Sequence, residues 1–189
     1  MKGARTREKF VDAAARLFQS DGYHGVGLAR IVEESGAPKG SFYFHFKGGK
    51  ADLALAAIAK SEADVSALLA YAARRADGPD AYVRAIASGL MRWLKASGYA
   101  AGCPVAGLTI ELAAGAPAVA KACAAAYAQW TAPIARDLAR VGVDPSTTDD
   151  LAAPIVAALE GGVVMCRASR SPRALDHVAA TLSSMARVR

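Results

Sequence analysis

What the 189-residue sequence lacks excludes much of protein chemistry. Its three histidines, His24, His45 and His177, and its three cysteines, Cys103, Cys123 and Cys166, show neither a CxxC nor any other metal-ligand spacing, so no metal site is expected. An odd number of scattered cysteines suits reduced thiols better than a disulfide framework. No run approaches the roughly 18 apolar residues needed to cross a bilayer, and the basic N-terminal stretch has no apolar signal-peptide core. The expectation is a cytoplasmic protein without a membrane partner. Carboxylates grouped with a histidine are missing too: Glu111 and Glu160 stand alone in apolar segments with no histidine on the same helix. Acid–base catalysis needs such a group, so neither an enzyme nor a cofactor is expected. Strand-like alternation, internal repeats and low-complexity linkers are also lacking, and alanine-rich helical periodicity fills the chain, which makes the predicted fold all-α.

The charge that is present is unevenly placed. Of the net +6, residues 1–50 carry nine Lys/Arg against five Asp/Glu, while the remaining residues carry fourteen against twelve. A basic head on a nearly neutral body is the footprint of a polyanion-binding protein, although a basic surface that only aids solubility gives the same count.

In that head, residues 5–21 predict an amphipathic helix with Phe10, Ala13, Ala14, Leu17 and Phe18 on one stripe, ended by Gly22. A short helix over 28–35 turns Leu28, Ile31 and Val32 inward and stops at Gly36. The turn Gly36-Ala37-Pro38 then starts a third helix at Lys39. Two short helices joined by a tight glycine turn form a helix-turn-helix, whose second helix enters the DNA major groove. That second helix carries Phe42, Tyr43, Phe44 and His45 between Lys39 on one side and Lys47 and Lys50 on the other. Phe42 and Phe46, four residues apart, share a buried face, while Tyr43 and His45 point elsewhere with groups able to meet phosphates.

These residues carry a resemblance. Ala13-Ala14, Leu17-Phe18, Gly22-Tyr23, Ile31-Val32, Ser35-Gly36 and the run Lys39 to Phe46 are similar to the head of the TetR family of transcriptional regulators. Gly27 stands where the family usually has a Ser or Thr cap, a substitution that costs a few tenths of a kcal/mol. The segment from Phe46 to Lys50 is one residue longer than the commonest pattern. With Gly102-Cys103-Pro104-Val105 and the stretch Leu108 to Leu112, this resembles the LmrA/YxaF-like branch. The resemblance implies a helix-turn-helix domain over 1–48, and a ligand-binding and dimerisation domain over 49–189. It implies a homodimer on a double-stranded DNA operator of pseudo-palindromic sequence, a repressor released by a small apolar or amphipathic inducer. On this docking Lys39, Gly40 and Ser41 face base edges, Tyr43, His45 and Lys50 hold phosphates, and Arg5 and Arg30 add backbone contacts.

Downstream, helices are predicted over 49–75, 79–97, 104–113 and from Pro117 through Tyr127, Trp130, Ile134, Leu138 and Val141, with a kink at Pro133. An eighth helix begins at Asp149 and Asp150 and reaches about residue 168. A ninth follows Ser171-Pro172, with Leu175, Val178, Leu182 and Met185 on one stripe. Ala152, Ala153, Ala157, Ala158, Gly161 and Gly162 let helices approach closely, which suits pairing of the last two helices with those of a second subunit; capping of the monomer is the plainer alternative. Met91, Trp93, Leu108, Tyr127, Trp130 and Met165 are candidate ligand contacts, although aromatic stripes at this spacing also pack cores. Glu111 and Thr109 could orient a ligand or be solvated. Cys103, near the same candidate pocket, supports a second reading, a thiol-based redox or electrophile sensor, with no neighbouring cation in sequence to activate it. Non-specific DNA binding is a third.

Overall fold

The computed structural model describes residues 2–187, and all regular elements among them are helical. They are α1 (Lys2–Asp21), α2 (Leu28–Ser35), α3 (Phe42–His45), α4 (Lys50–Arg75), α5 (Pro79–Ala96), α6 (Pro104–Leu112), α7 (Pro117–Arg140), α8 (Thr148–Ser169) and α9 (Arg173–Arg187), with single 3-10 turns at Lys39–Ser41 and Pro145–Thr147. The chain forms two compact units. One runs to Glu62 and takes in Cys103–Ala126; the other comprises Ala63–Gly102 and the chain from Tyr127 onward.

The first unit is organised by rings. Phe10 of α1 meets Phe42 edge-on at 5.3 Å and Phe46 at 6.2 Å, while Phe42 and Phe46 stack at 5.4 Å. All three are buried, with Ala13, Ala14, Leu17, Phe18, Val26 and Ile31 around them. Offset and edge-on aromatic pairs add about 0.5–1.5 kcal/mol each beyond the area they bury, so a very short helix can be held rigidly. α2 has only Gly27 at its N-cap with no side-chain bond, and ends at Gly36 in the left-handed region (φ 57°), where its N–H bonds Glu33 O. Leu53, Ala54, Ala57 and Ile58 of α4 and Val105 and Leu108 of α6 complete this interior.

The second unit packs α5 against α9 and α8 against α9. Tyr82, Val83, Ile86 and Leu94 face inward from α5, Leu151, Ile155, Leu159, Val163 and Cys166 from α8, and Leu175, Ala179, Leu182 and Ala186 from α9. Gly162 permits the α8–α9 approach, because a Cβ there would lie 2.8 Å from Leu175 Cδ2. Buried Tyr82 donates to Asp137 Oδ2 at 3.4 Å, and burial, followed by the Asp137 charge, pushes the phenol's pKa upward.

Several local expectations change. The reading segment is not one helix from Lys39 but a 3-10 turn followed by a four-residue α-helix, because Pro38 and Gly40 open it and Phe46 leaves helical geometry at φ −134°. Pro133 lies inside α7, where the sequence placed it, and a second interior proline, Pro154, sits in α8. Met185 is exposed, since the buried stripe of α9 runs through Leu175, Ala179, Leu182 and Ala186, one position beyond it. The segment Pro145–Ser169 is long and apolar enough, by length and composition alone, to cross a membrane, and one side of it is buried inside the protein. Its other side is open: Ala153, Pro154, Ala157, Gly161, Val164, Met165 and Ala168 are exposed.

Candidate nucleic-acid interface

The reading segment begins at Pro38, whose carbonyl accepts the Ser41 N–H at 2.9 Å and the Ser41 hydroxyl at 2.7 Å. α3 then turns Phe42 inward, and its neighbours are left outside. Tyr43 is 65% and Phe44 79% exposed, the second being among the most exposed large apolar side chains described. Phe44 lies two residues from each buried ring, about 200° around a helix from Phe42, which places it opposite the core. That spacing is present in the sequence, but sequence reasoning passes over Phe44 because the four rings read as one aromatic cluster.

Lys39, Gly40 and Lys47 are exposed around these rings, and a Cβ on Gly40 would meet nothing within 4 Å. His45 is half-buried, edge-on to Phe44 at 5.1 Å and to Phe46 at 6.5 Å. Arg5 is exposed on α1, and Arg30 on α2 pairs with Asp21 at 2.8 Å. Gly49 (φ 68°) reverses the chain after α3, and Asp52 reaches back to accept the Gly48 N–H at 2.7 Å, fixing the start of α4. The expected cationic, ring-bearing surface is therefore assembled on one unit.

Lys50 occupies a different environment from Lys39 and Lys47. It is half-buried, its Nζ donates to the Tyr23 carbonyl, and the ammonium sits 4.1 Å from the Tyr23 ring centroid. Burial lowers its pKa, opposed by the Glu111 charge. Glu111, read from sequence as a polar group for a ligand, has both carboxylate oxygens engaged in the same unit: Oε1 accepts from Tyr23 N at 2.9 Å and Oε2 from His24 N at 2.8 Å.

The remaining candidate ligand residues are distributed as follows. Leu108 is buried and Cys103 half-buried in the first unit. In the second, Trp130 is buried and meets Tyr127 edge-on at 5.3 Å, and Trp93 is half-buried. Met91 lines a groove of about 360 Å³ with Ala87 and Ala179, rimmed by Arg84, Arg92 and Asp176. Met165 is exposed on the open side of α8, because Leu159, Val163 and Cys166 take the inward positions.

Comparison with known proteins agrees with this geometry. Residues 10–57 match the family described as bacterial regulatory proteins, tetR family, and residues 79–181 match the transcriptional regulator LmrA/YxaF-like C-terminal domain. The HTH-type transcriptional regulator LmrA of Bacillus subtilis (strain 168) is 31% identical over 180 residues, covering 95% of this chain and 96% of that one. YxaF of the same organism, an uncharacterized HTH-type transcriptional regulator, is 32% identical over 160 residues, covering 85% and 84%. Among solved structures, a TetR transcriptional regulator from Chloroflexus aurantiacus J-10-FL superposes with a TM-score of 0.82 at 27% identity, covering 100% and 97%. The regulatory protein TetR from Rhodobacter sphaeroides shares the fold, with a TM-score of 0.84 at 24% identity over 94% and 96%. A ring-cored helix-turn-helix head, a helical body and matches spanning both make this chain a DNA-binding transcriptional regulator of the TetR family, in its LmrA/YxaF-like branch.

Proposed function

We propose that the protein is a cytoplasmic homodimeric repressor that holds a pseudo-palindromic operator and releases it when a small apolar or amphipathic molecule binds its body. The observation that carries the DNA half of this reading is the two-sidedness of α3, with Phe42 and Phe46 buried and Tyr43 and Phe44 open among Lys39 and Lys47. Lys39, Ser41 and the gap at Gly40 approach base edges, and the Phe44 ring meets thymine methyl groups, the apolar feature of the major groove. Tyr43 and His45 hold phosphates, and Arg5 and Lys47 add counterion-releasing charge.

Dimerisation through α8 and α9 is supported by their exposed faces, where Val164, Met165 and Met185 stand among small residues. Two subunits so joined carry two reading helices about 34–36 Å apart, one turn of DNA. For the inducer, the Tyr127–Trp130 pair, Trp93 and Met91 of the second unit supply apolar and aromatic surface suited to a flat molecule. Moving occupancy from 99:1 to 1:99 requires about 5.5 kcal/mol of differential affinity between the two conformers.

The test is selection of bound duplexes from a random library at fixed salt. Enrichment of a motif with twofold symmetry supports the reading; a pool that stays random contradicts it.

A further inference from the structure

α6 contains one charged residue, Glu111, in an otherwise uncharged helix, and that carboxylate is bound to backbone amides 88 and 87 positions earlier in the chain. The donors, Tyr23 N and His24 N, belong to the corner between α1 and α2. Hydrogen bonds to an ionised acceptor are shorter and stronger than neutral ones, and two on one carboxylate fix its direction as well as its distance.

The corner is shaped for this approach. Gly22 sits at φ 76°, and a Cβ on it would lie 2.6 Å from Glu111 Oε1, so the geometry depends on glycine twice, for backbone and for space. Tyr23 is held from its other side as well: Lys50 of α4 donates to its carbonyl and covers its ring. The same corner is tied onward to α2, because Asp21 at the end of α1 pairs with Arg30. α2 in turn leads directly into the reading segment through Gly36 and Pro38.

We propose that Glu111 is the latch by which α6 sets the orientation of the helix-turn-helix, gripping the α1–α2 corner through the Tyr23 and His24 amides. The inference rests on the DNA-binding reading and assigns Glu111 a positioning role in place of a ligand contact. Bonds of 2.8 and 2.9 Å tolerate little stretching, so a displacement of α6 either carries the corner with it or breaks the latch. Both outcomes re-aim α3.

The experiment uses the full chain as Glu111→Ala and Glu111→Gln, the second retaining one carbonyl acceptor in the same shape. Amide hydrogen exchange at Tyr23 and His24 is expected to accelerate by about tenfold or more in the alanine variant and less in the glutamine variant. Operator affinity at fixed salt falls by about tenfold with the slope of log affinity against log salt unchanged, because every phosphate-binding cation is still present. Should the alanine variant fail to fold, the glutamine variant carries the comparison. Unchanged exchange at both amides would overturn the latch, as would faster exchange with operator affinity intact. Failure of the parent reading looks different, since the wild-type protein itself would then select no operator.

Discussion

The head and the last two helices both leave apolar side chains open to solvent, and their surroundings differ. Around Tyr43 and Phe44 stand Lys39 and Lys47, and the exposed groups are rings. On α8 and α9 the exposed Val164 (57%), Met165 (62%) and Met185 (46%) are set among alanines and Gly161. Exposed apolar area does not by itself identify a partner; in the proposed function the charge around it separates the two surfaces. Rings between cations match a polyanion with apolar methyls in its groove, whereas a face of small and aliphatic residues matches another helix of its own kind.

Placing a charge on the α8 face gives the sharpest way to break this contrast. Val164→Glu combined with Met165→Glu would bury unpaired carboxylates between subunits, at a cost of several kcal/mol. Light scattering should then report monomers, and operator binding should fall by about 100-fold or more, since one half-site remains. A dimer that persists would transfer the interface elsewhere. A smaller effect is expected in the head. Tyr43→Ala and Phe44→Ala should each weaken operator binding by about tenfold, the order of one base or phosphate interaction, with the dimer mass unchanged.

The two kinds of lysine sharpen the comparison further. Lys47→Ala should flatten the salt dependence by about one unit of slope for each phosphate that the ammonium neutralises, while Lys50→Ala should weaken binding with the slope preserved, because its ammonium is turned to the Tyr23 carbonyl. Equal slope changes in gel-shift titrations across salt would show that Lys50 also reaches phosphate. The smallest effect belongs to Cys103→Ser, for which operator affinity and its response to a thiol oxidant should match the wild type; disappearance of an oxidant response would establish the thiol-sensor alternative.

Patterns of short range were legible in the sequence. The stripe Phe10, Ala13, Ala14, Leu17 and Phe18 follows helical spacing and is buried throughout, and the four-residue step from Phe42 to Phe46 does select the core face of α3. The helix stops at Gly22 and Gly36 coincide with left-handed backbone, which glycine adopts at low cost. Interactions made across the fold were not legible. No local pattern announces that Glu111 meets the amides of Tyr23 and His24, or that Lys50 turns to Tyr23, because those partners depend on how α1, α4 and α6 assemble. Met165 defeats sequence reasoning for a related reason: on α8 small and apolar residues occupy both sides, so periodicity alone does not choose the inward one, whereas on α9 the polar side is legible and Met185 lies one position short of the buried Ala186.

The most direct measurement of the central claim, that the open ring-bearing face of α3 reads operator sequence for a paired chain, is random-library selection performed in parallel with wild-type protein and Phe44→Ala. The account predicts the same two half-sites at the same spacing in both pools, with base preference relaxed in the variant at one position in each half-site. Motifs of equal stringency from both proteins, or sites without twofold symmetry, would contradict it.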